Sequence, residues 1–161
     1  QKGEFDNSYY PVHGLITHGD ELWLYYTDSP GHLEISEGIR FRSVMYRAVF
    51  RRDGFTGVEA DYSGGEFTTP PLTFKGEALH LNIDTSATGL ARVEILDEND
   101  RPFDGYTLEE CDRIHTTNST NRTVTWRKGR FEVGDLSGRP VRLRFELCYG
   151  VKLYAFRFGK Q

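Results

Sequence analysis

Residues 78–84 read ALHLNID and residues 90–97 read LARVEILD. In both, apolar and polar side chains alternate with the two-residue period of a strand that buries one face. Leu79, Leu81 and Ile83 form the inward set of the first stretch, with His80 turned away from them. Ala91, Val93 and Ile95 form that of the second, with Arg92 and Glu94 outward. The pattern returns at 141–148, where Val141, Leu143, Phe145 and Leu147 alternate with Arg142, Arg144, Glu146 and Cys148. Further runs at 12–17, 20–27, 40–51, 55–61, 65–69, 122–126 and 151–158 complete a set of short strands, and helical periodicity is nearly absent. So many short strands with turn signals between them predict an all-β fold, a two-sheet antiparallel β-sandwich of jelly-roll-like type over residues 53–161. A separate β-hairpin segment over residues 1–52 precedes it, because the first third is rich in Tyr, His and Arg and lacks the regular alternation.

Turn chemistry supports this division. His18-Gly19-Asp20, Asp53-Gly54, Ser63-Gly64-Gly65 and Tyr149-Gly150 place glycine where the backbone needs positive φ. The last is tight enough to predict one long hairpin over 141–158. Pro70-Pro71 cannot donate ladder hydrogen bonds and marks an edge or a bend between sheets. Thr107 followed by Glu110 has capping-box spacing, enough for a single helical turn.

Composition bounds the function. The 161 residues are about one domain, and 20 basic against 24 acidic side chains leave a net charge of −4 with both signs scattered. That excludes a general nucleic-acid binder, which needs a clustered basic surface. No apolar run reaches the roughly 18 residues of a membrane helix, and no basic-then-apolar leader opens the chain. A start at Gln1 leads us to expect a processed chain or an excised piece of a longer one.

Motifs of catalysis are missing: no phosphate-cradling loop, dinucleotide fingerprint, nucleophile elbow, paired-His zinc motif or Cys-x-x-Cys. Asp20, Glu21, Asp28, Glu34 and Glu37 could supply a glycosidase carboxylate pair, but nothing singles out two of them, and solvated strand ends explain them better. Asp97-Glu98-Asn99-Asp100 offers oxygen ligands that calcium accepts, with Asp97 and Asp100 as the metal candidates; a polar hairpin turn closed by Pro102 explains the run equally. Arg40, Arg42, Arg47, Arg51 and Arg52 form a possible anion stripe, yet alternation splits them between two faces, favouring salt bridges and solvation. Cys111 and Cys148 leave a disulfide or two free thiols open. Asn118-Ser119-Thr120 and Asn121-Arg122-Thr123 are glycosylation sequons in one polar loop.

Aromatic residues remain, and a sugar's C–H face stacks on a flat ring while polar neighbours hold its hydroxyls. Tyr106, between Gly105 and Thr107, is the candidate exposed platform, with Asp104 beside it to accept sugar hydroxyls. In the competing account Tyr106 packs over the Thr107 turn and Asp104 caps that turn. Trp126, in phase with Val124, is either core or platform; Tyr149 and Phe103 are further loop candidates.

The strings GGEFTTPPLTFKGEALHLNID, ARVEILDENDRPFDGYTLEECDRI and VTWRKGRFEVGDLSGRPVRLRFELCYGVKLYAFRF, in that order, resemble the C-terminal β-sandwich of bacterial proteins related to glycoside hydrolase family 32. In that family the sandwich follows a five-bladed propeller. GDELWLYYTDSPGH and RAVFRRDGFTGVEA resemble the last blade and the crossover, so the resemblance implies a propeller-blade-like segment over 1–52, with Tyr25, Tyr26 and His32 matching the blade pattern. The family's catalytic carboxylates sit in earlier blades and map onto no residue here. The resemblance therefore implies a noncatalytic carbohydrate-binding or accessory module of a secreted glycosidase, extracellular or periplasmic, with an oligo- or polysaccharide and the catalytic propeller as partners. The alternative is a structural buttress for that propeller with no ligand of its own. A stand-alone enzyme is a third class.

Overall fold

A computed structural model describes residues 9–28 and 44–160. His32, Glu34, Glu37, Arg40 and Arg42, together with Gln1 and the N-terminal part of the 40–51 run, lie outside the described residues, as does the side chain of Asp28. The chain divides into two compact units, residues 1–52 and 53–161. Every strand pair in both is antiparallel, and the described residues contain no α-helix.

In the first unit, β1 (Tyr9–Pro11) and β2 (Ile16–His18) occupy successive halves of one edge of β3 (Glu21–Asp28), and β4 (Val44–Arg51) lines the other. Of the 12–17 run only Ile16 and Thr17 are in a strand, and residues 12–15 join β1 to β2 through Gly14, whose φ is +101°. Trp23 stacks on His18 at 4.0 Å and carries the Arg47 guanidinium 4.2 Å from its ring centre. Tyr26 stacks on its directly paired Tyr46 at 5.3 Å. Apolar side chains stay exposed on both faces, Ile16, Met45 and Val49 on one and Val44 and Phe50 on the other.

The second unit is a sandwich of two four-stranded sheets. Its strands are β5 (Val58–Glu59), β6 (Gly65–Thr68), β7 (Ala78–Asp84), β8 (Leu90–Leu96), β9 (Ile114–His115), β10 (Asn118–Thr123), β11 (Arg142–Cys148) and β12 (Lys152–Gly159). One sheet has the order β10-β7-β12-β5 and the other β6-β11-β8-β9, so the chain changes sheet at every connection except that from β8 to β9. The Pro70-Pro71 bend lies on one such crossing. Leu79, Leu81 and Ile83 face Ala91, Val93, Ile95, Leu143, Phe145 and Leu147 across the core, and all are buried. Phe145 joins the layers, with Phe67 at 5.0 Å in its own sheet and Phe156 at 5.7 Å in the other.

Three expectations need correction. The 141–158 stretch is no hairpin: β11 pairs with β6 and β8, whereas β12 pairs with β7 and β5, so Tyr149-Gly150 carries the chain between sheets. Alternation and a glycine turn specify a reversal of direction but do not say which neighbour supplies the hydrogen bonds. The sequon segment is the edge strand β10, with a register irregularity between Ser119 and Arg122, while Val124 and Trp126 lie past its end in the core. Of the 55–61 run only Val58–Glu59 forms a strand, and Gly57 packs against β12, where a Cβ would stand 2.9 Å from the Leu153 carbonyl oxygen.

His80 does face away from the Leu79–Leu81 core, yet it is buried, as is Asn82 beside it. The two ends of the unit cover that outer face. His80 Nε2 lies 2.9 Å from the Lys160 carbonyl and Nδ1 lies 3.1 Å from Thr123 Oγ1, while Asn82 Nδ2 donates to the Asp53 carbonyl at 3.2 Å. Burial is the main cause holding the His80 pKa below its ordinary value.

Removing the ring that joins the layers should leave a cavity the rigid sheets cannot close. Phe145→Ala is expected to lower unfolding free energy by about 3–5 kcal/mol, measured by urea denaturation, and a loss below about 1 kcal/mol would mean that the inter-sheet contact is not a main support of the fold.

Candidate functional site

Register places four connections at one end of the sandwich. Asn118, Asp84, Lys152 and Glu59 lie in one cross-strand row of the first sheet, and Gly65, Leu147, Ala91 and Ile114 in one row of the second. The loops leaving these rows are 60–64, 85–89, 116–117 and 149–151. Backbone bonds strap them in pairs. Ala60 donates to the Val151 carbonyl at 3.0 Å and Gly150 to the Asp61 carbonyl at 3.4 Å, while Thr85 donates to the Thr117 carbonyl at 2.8 Å. Gly89 joins the two pairs, because a Cβ there would stand 2.3 Å from the Thr85 carbonyl oxygen and 2.7 Å from Val151 Cγ2.

Two tyrosines project from the first strapped pair. Tyr62 is 79% exposed and Tyr149 is 44% exposed, with ring centres 5.1 Å apart and planes inclined at 63°. They form an open aromatic corner. Tyr149 holds φ at +60°, a left-handed conformation that a bulky residue seldom adopts and that glycine takes without strain. Beside Tyr62, Asp61 Oδ1 accepts from Ser63 Oγ at 2.6 Å and from the Gly64 amide at 3.0 Å. The Ser63 hydroxyl is the largest cause keeping the Asp61 carboxyl below its ordinary pKa. At the same end, Asp84, Ser86, Thr116, Thr117 and Asn118 line a shallow, open depression of about 380 Å³.

Tyr106, the expected exposed platform, is instead buried, at 2% exposure, and offers a sugar no open face. Its hydroxyl stands 2.6 Å from Asp135 Oδ1 and 2.8 Å from the Glu132 carbonyl, and accepts from Arg130 Nη2 at 2.6 Å. Burial, followed by the Asp135 bond, pushes its pKa well above the ordinary phenol value. Trp126, wholly buried, meets Tyr106 edge-on at 5.4 Å and donates from Nε1 to the Val93 carbonyl at 3.0 Å. Phe103 is half-buried beneath the Arg139 guanidinium.

Asp104 does not cap the Thr107 turn. Its carboxylate is exposed and meets Arg127 Nη2 at 3.0 Å. The cap is Glu110, whose Oε2 accepts from the Gly105 amide at 2.8 Å and from Thr107, while Thr107 Oγ1 accepts from the Glu110 amide at 3.3 Å. The spacing thus produces its box on one turn, closed by the Cys111 amide on the Thr107 carbonyl.

The calcium candidates are otherwise engaged. Asp97 Oδ1 accepts from the amides of Asn99 at 2.8 Å and Arg101 at 2.9 Å, the polar-turn arrangement, and Asp100 pairs with Arg142. Among the described residues no group of three or more His, Cys, Asp or Glu side chains stands close enough to hold a metal ion. Nor does the disulfide form: both cysteines are free, and Cys111 is buried with its sulfur accepting from the Val93 amide. Burial pushes its thiol up to about 11. In the first third, Glu21 Oε2 accepts from Trp23 Nε1 at 2.7 Å.

The structure therefore brings Tyr149 together with Tyr62 and separates both from Tyr106, Trp126 and Asp104. Sequence reading passed over Tyr62, whose one signal is an aromatic ring directly before the Ser63-Gly64-Gly65 turn, where no core alternation can claim it. No protein-family model, curated protein or solved structure matches the chain.

Tyr106→Phe keeps the ring and deletes a buried hydroxyl whose partners Arg130 and Asp135 are partly exposed and can turn to water, so stability should fall by about 0.5–1.5 kcal/mol in urea titration. A second expectation concerns acid. The Arg127 bond is the main cause holding Glu110 below its ordinary pKa, so its contribution is present above the unfolded carboxylate pKa and is lost as pH falls through the lower folded value. Glu110→Gln should accordingly reduce the loss of stability on acidification from pH 7 to about 3, and an unchanged pH profile would contradict this.

Proposed function

We propose that residues 53–161 form a noncatalytic carbohydrate-binding module, an accessory domain of a secreted bacterial glycoside hydrolase acting outside the cytoplasm. It takes an oligo- or polysaccharide on the Tyr62–Tyr149 corner. One observation carries the reading: two exposed aromatic rings stand on mutually strapped loops, one of them on a backbone conformation that favours glycine over tyrosine. A left-handed tyrosine costs on the order of 1 kcal/mol, and a ring that contributes little to the core needs another reason to be there. Sugar rings supply one, since their C–H faces pack on aromatic faces while the Asp61 carboxylate and the threonine-lined depression accept and donate to hydroxyls. Loops held at one end of a sandwich are where such domains place their ligands. The parentage rests on the ordered sequence strings.

A second reading has its own support. The sheet of β1 to β4 exposes Ile16, Met45 and Val49 on one face and Val44 and Phe50 on the other. That suits a blade packed between neighbouring sheets, and in this reading the chain buttresses a catalytic propeller.

A glycan array followed by calorimetry on the whole chain separates the two. The wild type should bind an oligosaccharide in the micromolar to millimolar range, about −4 to −8 kcal/mol. Tyr62→Ala and Tyr149→Ala should each weaken binding by roughly three- to tenfold. Tyr149→Gly should also weaken it while changing stability by no more than about 1 kcal/mol, because relief of strain offsets the added freedom of the unfolded chain. Absence of any bound glycan, or variants that lower the melting temperature and leave affinity intact, would refute the reading.

A further inference from the structure

Resting on the carbohydrate reading of the aromatic corner, we infer that its ligand carries a positive charge: an amino sugar with a free ammonium group. Loops 60–64, 85–89, 116–117 and 149–151 read ADYSG, TSATG, TT and YGV, and contain no lysine or arginine. At the row from which they spring stand Asp84 and Glu59 against Lys152, whose ammonium lies 3.5 Å from Glu59. Several guanidiniums of the sandwich are engaged elsewhere. Arg92 pairs with Glu146, Arg144 with Glu66, Arg127 with Glu110, and Arg157 Nη2 donates to Asn121. A uronate or sulfated glycan would meet carboxylates with no fork of donors to receive it. An ammonium meets the reverse.

Tyr62 and Tyr149 meet edge to face, and the ring surface their contact leaves open, chiefly that of the more exposed Tyr62, is electron-rich and attracts cations. Asp61 adjoins the first ring, is exposed, and uses Oδ1 for both of its turn bonds, so Oδ2 can accept from an ammonium without loss of the turn. Its depressed pKa keeps it charged when the amine is protonated. Neutral sugars gain only the stacking and hydroxyl contacts.

The test titrates the whole chain with glucosamine oligomers, N-acetylglucosamine oligomers and cello-oligosaccharides of equal length, at a pH where the amine is protonated. Glucosamine oligomers should bind about five- to thirtyfold more tightly than either neutral series, and added salt should shrink that margin. Asp61→Asn retains the Oδ1 acceptor for Ser63 and Gly64, so it should fold normally and lose most of the margin while keeping neutral-sugar affinity. Tyr149→Ala should weaken all three series. Equal affinity for the three series, or a margin that survives Asp61→Asn, overturns the charged-ligand inference and leaves the carbohydrate reading standing. Failure of all three, and of the array, overturns both.

Discussion

β7 is buried on both faces, and the two faces impose different demands. Its inward residues Leu79, Leu81 and Ile83 need only apolar neighbours, which the second sheet supplies. Its outward residues His80 and Asn82 are polar, and a buried polar group without a partner costs on the order of 1–3 kcal/mol. The unit meets that demand with its two ends, the Asp53 and Lys160 carbonyls, and with the Thr123 hydroxyl of the adjacent β10. Central strand, flanking strands β10 and β12, and both ends of the unit are thereby tied to one element. Among the described residues no buried side-chain nitrogen or oxygen lacks a partner.

With the centre held, successive strands leave it for the opposite sheet, and each crossing leaves a loop at one end or the other. The two ends have been used differently. Around Tyr106 the connections are long, and they are filled by Trp126, Arg130, Asp135, Arg127 and Glu110 in a satisfied network that closes the core. At the opposite end the connections are short and strapped by backbone bonds, which leaves side chains free to project. Tyr106 and Tyr149 are the same residue type, each beside a glycine, with opposite fates. What separates them is whether arginine and carboxylate partners surround the hydroxyl.

Charge follows the same division. Cross-strand pairs such as Arg92–Glu146 and Arg144–Glu66 occupy the outer face of the second sheet, where partly exposed pairs add little stability and keep the surface wetted. The strapped loops carry Asp61 and no lysine or arginine, and Lys152 stands between Asp84 and Glu59 in the row from which they spring. The binding role proposed for the aromatic corner and the packing role proposed for the β1–β4 sheet rest on different residues and do not exclude each other.

Alternation by itself determined the strands at 78–84, 90–96 and 142–148 and the sides they turn to the inter-sheet core, because side-chain direction in an extended chain follows position parity, although it did not show that His80, Asn82 and Glu94 on the other side are buried too. Capping chemistry equally determined the Thr107–Glu110 box, a contact between residues three apart. Relations between distant residues were not legible. Which sheet β12 joins, whether Asn118–Thr123 pairs as an edge, and that His80 is covered from outside depend on partners tens of residues away, and one period suits either arrangement. The candidate site shows this most plainly. Tyr149 could be marked as a loop aromatic from its neighbours, but its meeting with Tyr62 required the Ala60–Val151 and Asp61–Gly150 bonds, which join positions some ninety apart. Tertiary structure alone decided that Tyr106 goes inward, because only the folded chain brings Arg130 and Asp135 to its hydroxyl.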